Sequence, residues 1–130
     1  MLAPHTRAIV AATAFALVTG KKVAGLYDHT AARDLRVAAE ARDNAVQGVD
    51  AESGTKFGGT LPDILVAKER TWISFALENG EVTGYDRASA THFTARVENG
   101  AVQVYDHAGA TWFAYEVQDA SAPQSYYREA

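Results

Sequence analysis

The chain has 130 residues, of which 48% are hydrophobic and 22% charged, with a net charge of -4 and no cysteine. That length suits one domain, 1–130, with a real core. The acidic balance and the scattered basic residues, of which only Lys21-Lys22 are adjacent, argue against a nucleic-acid partner, and the missing thiol removes disulfides, thiolate catalysis and cysteine-ligated metal.

The first predicted element is a helix over residues 4–19. Pro4 suits a first turn, where its missing N–H is no loss, and Gly20 suits the position just past the end. The apolar run 8–18 is preceded by the single basic residue Arg7 and closed by no small-x-small site, so it reads as a buried helix rather than a secretory signal. It is also too short for a membrane span, which needs about 20 apolar residues. The expected compartment is therefore the cytoplasm, with export as the alternative if the run is a signal after all. Ile9, Val10, Ala12, Phe15, Leu17 and Val18 lie all round the helix, and such a helix must be covered on more than one side. A sheet is one expected cover and a second subunit the other.

From residue 22 to 118 the sequence reads as strand and turn, built from a repeat of about twenty residues. Three stretches, 46–61, 82–97 and 102–117, share V-x-[G/V]-[V/Y]-D, a polar turn, then T-x-F-x-x-x-[L/V]. A fainter copy covers 24–37, and a truncated one ends at 71–77. Each unit is one strand–turn–strand. Asn79-Gly80 and Asn99-Gly100 are two-residue hairpin turns, because both positions must take positive φ, and Asp43-Asn44 holds the matching place in the first unit. The turns opened by Asp28, Asp50, Asp86 and Asp106 suit a carboxylate that accepts backbone N–H groups two residues on. Pro62 marks a break between hairpins. The fold class is mainly β: an antiparallel up-and-down meander of about nine or ten strands, curved around the helix or closed into a barrel, with one N-terminal helix.

A two-residue turn at Asn99-Gly100 sets Val97 opposite Val102, Ala95 opposite Val104 and Phe93 opposite Asp106, which defines a core face. Phe57, Leu61, Phe75, Leu77, Val82, Gly84, Phe113, Tyr115 and Val117 join it, with Phe75 over the bare backbone of Gly84. The opposite face carries Tyr27, Trp72, Tyr85, His92, Arg96, Tyr105 and Trp112 among Thr83, Thr94, Gln103 and Lys56. These seven are the candidate binding residues. Flat rings beside hydrogen-bonding groups suit a sugar or another protein. The same residues also favour strands for their cross-strand pairs alone. A third possibility is that this face lines a closed barrel and anchors a ligand inside it through His92 or Arg96.

No motif names a reaction. Asp28-His29 and Asp106-His107 invite a general-base or metal reading, yet sequence neighbours on a strand point to opposite faces, and the same slot holds Ala51 and Arg87 elsewhere. Neither His5 nor His92 has a partner at ligand spacing, and no nucleophile elbow or phosphate cradle is present. We expect no catalytic residue, no metal and no cofactor. The tail, 119–130, carries Tyr126, Tyr127 and Arg128, types favoured at interfaces, and a docked tail is expected. The functional expectation is a non-catalytic binding or assembly module that works through the aromatic face and a homo-oligomer interface. The alternative is a carrier or enzyme of barrel type for a small carbohydrate or apolar ligand.

Overall fold

The computed structural model describes residues 1–118; the tail expected to dock lies outside them. Helix α1 spans Pro4–Thr19, with Pro4 in the first turn and Gly20 closing the end at φ 70°, its N–H bonded to the Ala16 carbonyl. Eleven strands follow: β1 (Gly25–Asp28), β2 (Arg33–Leu35), β3 (Val37–Arg42), β4 (Ala45–Asp50), β5 (Thr55–Thr60) and β6 (Asp63–Val66). The others are β7 (Thr71–Glu78), β8 (Glu81–Asp86), β9 (Thr91–Glu98), β10 (Ala101–Asp106) and β11 (Thr111–Gln118). They form one antiparallel sheet in the order β2-β1-β11-β10-β9-β8-β7-β6-β5-β4-β3. The sheet is a meander curled into a nearly closed barrel.

Closure depends on one bent strand. β2 and β3 sit at opposite ends of the sheet order, yet only Arg36 separates them in the chain. The first half pairs with β1, where Leu26 faces Leu35, and the second half pairs with β4. Continuing the β1 register would set Val23 opposite Ala38, but the bridge joins Val23 to Ala39 through two backbone hydrogen bonds. One extra residue is thus inserted between Leu35 and Ala39, which is how a β-bulge bends a strand. Counting β2 and β3 as one strand gives ten, within the nine or ten expected from the repeat. The predicted break at Pro62 shows as the short β5–β6 ladder of two residue pairs.

The hairpins form as their residues dictate. Asn79 and Asn99 take φ of 51° and 49°, followed by Gly80 and Gly100 at 77° and 81°. At the other end of the barrel, Asp28 Oδ1 accepts the Thr30 and Ala31 N–H groups, and Asp106 Oδ1 accepts those of Ala108 and Gly109. Asp50 and Asp86 bind the backbone or hydroxyls of their own turns in the same way. Asp106 Oδ2 also accepts the Leu2 N–H at 2.8 Å, tying the start of the chain to this end.

The barrel is filled by α1. All eleven residues from Thr6 to Ala16 are buried, and the helix packs on β3, β4, β8, β9, β10 and β11. The sheet therefore covers this whole stretch, where the sequence reading expected the sheet on one side and a second subunit on another. On the inward face Phe57, Phe75, Val82, Phe93, Ala95, Val102, Val104, Phe113 and Tyr115 are buried as expected. Leu61, Val97 and Val117 are only half-buried. Leu77 is a correction: it is 43% exposed, because it lies at the rim beside the Asn79-Gly80 turn.

Gly84 faces Phe75 on one side and Phe93 on the other, and those rings meet edge-on at 5.4 Å. A Cβ here would lie 2.0 Å from the Ser74 carbonyl oxygen and 2.4 Å from Phe93 Cζ. Gly84→Ala is therefore expected to lower stability by about 2 kcal/mol through overpacking. A urea midpoint equal to that of the parent would show that the rings and the β7 backbone give way freely.

Candidate functional site

Alternation along β8, β9, β10 and β11 sends Thr83, Tyr85, His92, Thr94, Arg96, Gln103, Tyr105 and Trp112 to the outside of the barrel. This is a correction for the reading in which the face lines an interior: His92 and Arg96 are exposed on the outer surface, and the interior opposite them holds α1. The ring pairs follow the strand register. Tyr105 lies opposite Trp112, with ring centroids 4.9 Å apart, and Tyr85 lies opposite His92 at 4.6 Å. Arg96 stands over the Trp112 ring at 5.1 Å while its Nε donates to Glu81 Oε2 at 2.7 Å. The guanidinium is thus held between a carboxylate and a π-face, both of which favour it.

The structure brings five of the seven candidates into two neighbouring groups on β8–β11 and leaves two outside. Trp72 is 39% exposed on β7, four strands from Trp112 in the sheet order. Tyr27 lies on β1, edge-on to His29 at 5.1 Å, and His29 pairs with Glu116 at 3.2 Å. His107 is a member that the sequence reading assigned to a turn. It packs edge-on to Tyr105 at 4.8 Å, and its Nε2 shares a hydrogen bond with Thr94 Oγ1 at 3.0 Å. Its spacing of two from Tyr105 was the signal, since residues i and i+2 share a face. Beside these rings runs an open groove of about 580 Å³, lined by Pro62, Thr83, Gly84, Tyr85, His92, Thr94 and His107.

A second concavity lies within the barrel at the end where α1 begins. Its volume is about 300 Å³, and its lining comes from the first turns of α1 (Pro4, His5, Ala8), the β1–β2 turn, the bent strand and the end of β4. Glu52 at its rim accepts the Arg36 N–H at 3.1 Å, Arg36 Nε at 3.2 Å and Arg33 Nη2 at 2.9 Å. The backbone bond from Arg36, with these two cations, holds the Glu52 carboxyl below its ordinary value. No group of three metal-ligating side chains occurs among the described residues, and no helix of the described residues is long and apolar enough to cross a membrane.

No protein-family model matches this chain, nor does any curated protein or solved structure.

Proposed function

We propose that the chain is a non-catalytic binding module whose outer face over β8–β11 takes a carbohydrate. The observation that carries this reading is the Tyr105–Trp112 pair, with Trp112 44% exposed and Arg96 over its ring, beside a groove walled by Tyr85, His92, Thr94 and His107. A pyranose offers an apolar face for a ring and a rim of hydroxyls for imidazole, threonine and guanidinium groups. An exposed indole held by its neighbours contributes contact area at small entropic cost. Glu81, Gln103 and Thr83 add acceptors and donors without a formal charge excess that would favour an ionic ligand.

The test is a titration of intrinsic tryptophan fluorescence with a panel of soluble oligosaccharides, backed by calorimetry. Trp112→Ala is expected to weaken binding about thirtyfold, the loss of one dominant contact residue. Trp72→Ala, four strands away, is expected to change it less than twofold, that is by under about 0.4 kcal/mol. Equal effects of the two substitutions, or no binding by the parent, would overturn the reading. A concentration-dependent oligomer that Trp112→Ala dissociates would assign the face to self-association instead.

A further inference from the structure

We infer that the cavity at the helix-start end of the barrel is a binding site for a small organic cation with an apolar body. The charge and shape of this cavity are independent of the outer face. Asp28 and Asp50 both line it and are 5% and 1% exposed. Buried carboxylates are normally paired with a cation. Yet no ion pair joins either one to any described residue, and the cations nearby are engaged elsewhere. Arg33 is held by Glu52, His5 by Glu69, and Arg7 by the Tyr115 hydroxyl and the Phe113 ring.

The two carboxylates differ in what they have left to offer. Asp50 uses Oδ1 for the Glu52 N–H and Oδ2 for the Ser53 hydroxyl. Asp28 places both turn amides on Oδ1, which leaves Oδ2 outside the turn's hydrogen bonds. An ammonium group at Asp28 Oδ2, with the Asp50 charge as support, would complete the pairing. Beside His5, Arg33 and Glu52, which are held in the pairs above, the lining includes Pro4, Ala8, Ala31, Leu35 and Val37, an apolar wall that suits a hydrocarbon body. A volume of about 300 Å³ lies at the small end of ligand sites and accommodates a molecule of about ten heavy atoms. Leu35 and Val37 flank the gap on either side of Arg36, where the strand passes from pairing with β1 to pairing with β4.

Three probes of one shape separate charge from bulk: phenethylammonium, 2-phenylethanol and phenylacetate, titrated into the full chain and followed by amide NMR shifts. Phenethylammonium is expected to perturb Ala8, Ala31 and Val37, and to bind about tenfold more tightly than phenylacetate. Asp28→Asn keeps the oxygen that caps the turn and removes only the charge. It should bring phenethylammonium down to the affinity of 2-phenylethanol. Ala31→Trp, at an exposed position on the rim, should block all three probes while far-UV circular dichroism stays unchanged. Equal affinity of the ammonium and carboxylate probes, an absence of shifts with phenethylammonium, or shifts centred on Trp112 instead of Ala8 would each overturn the assignment. So would an Ala31→Trp protein that still binds as the parent does.

Discussion

An aspartate placed at any one of Ile9, Val10, Ala11 or Ala12 is expected to unfold the protein. Successive helical residues are turned by about 100°, so these four positions sweep the whole circumference of α1. Every one of them is 0% exposed. A surface helix would tolerate a charge on at least one of the four, because its outer side faces water. Here the barrel wall surrounds the helix, and β3, β4, β8, β9, β10 and β11 approach it from different directions. An unpaired carboxylate in that interior costs several kcal/mol even after water and structure relax around it, against a total stability of about 5–15 kcal/mol for a domain of this kind. Thermal melts followed by far-UV circular dichroism would check this. A cooperative transition near that of the parent in any of the four variants would place that side of α1 outside the barrel. Serine at the same positions adds a small polar group that can bond to the helix backbone, so those variants should melt at reduced temperature but remain folded.

The architecture was legible where local chemistry decides it. Asn-Gly fixes a two-residue turn, the turn fixes the register, and the register sets Val97 on Val102, Ala95 on Val104 and Phe93 on Asp106, as found. The buried aspartates were legible as turn formers because four units place one at the same point. Two things were not legible, both of them long-range. The uniform apolarity of α1 said that it needs cover on every side but could not name the cover, and one curled sheet serves as well as a sheet plus a neighbour. Closure depends on a single residue inserted between Leu35 and Ala39, and that stretch carries no glycine or proline to mark a bulge. The mouth cavity is assembled from α1, the β1–β2 turn, the bent strand and the end of β4, so its residues were invisible as a group. The outer face fared better, since alternation alone places Tyr85, Tyr105 and Trp112 together. Trp72 and Trp112 occupy equivalent slots of the repeat, and equivalence in a meander means separation: two hairpin units, with His92 in the slot between, set them four strands apart.

Tyr115→Phe is expected to lower stability by about 3 kcal/mol, the upper range for a hydrogen bond to a buried charged group. Arg7 is 7% exposed inside the barrel, its Nε donating to the Tyr115 hydroxyl at 2.9 Å and its guanidinium 3.6 Å from the Phe113 ring centroid. Removing the hydroxyl leaves an ionised guanidinium with the ring but without that acceptor. Arg7→Met alone strands the phenol instead. The double variant Arg7→Met/Tyr115→Phe replaces both polar partners with apolar groups of similar volume, and such replacements are often neutral. It should therefore be more stable than Tyr115→Phe alone, a non-additivity that urea unfolding would read directly. The pH dependence gives a second test. Burial pushes the Tyr115 phenol up to about 12 from its usual 10.0, against the pull of Arg7, with the Asp28 charge adding to the rise. Above pH 10 the unfolded chain gives up this proton while the folded chain keeps it. The contribution is thus intact below about pH 10 and lost as pH climbs toward 12. The parent should lose stability over that interval more steeply than Tyr115→Phe. Identical slopes for the two proteins would mean that the phenol ionises as freely in the fold as outside it, and that the barrel interior around Arg7 is wet.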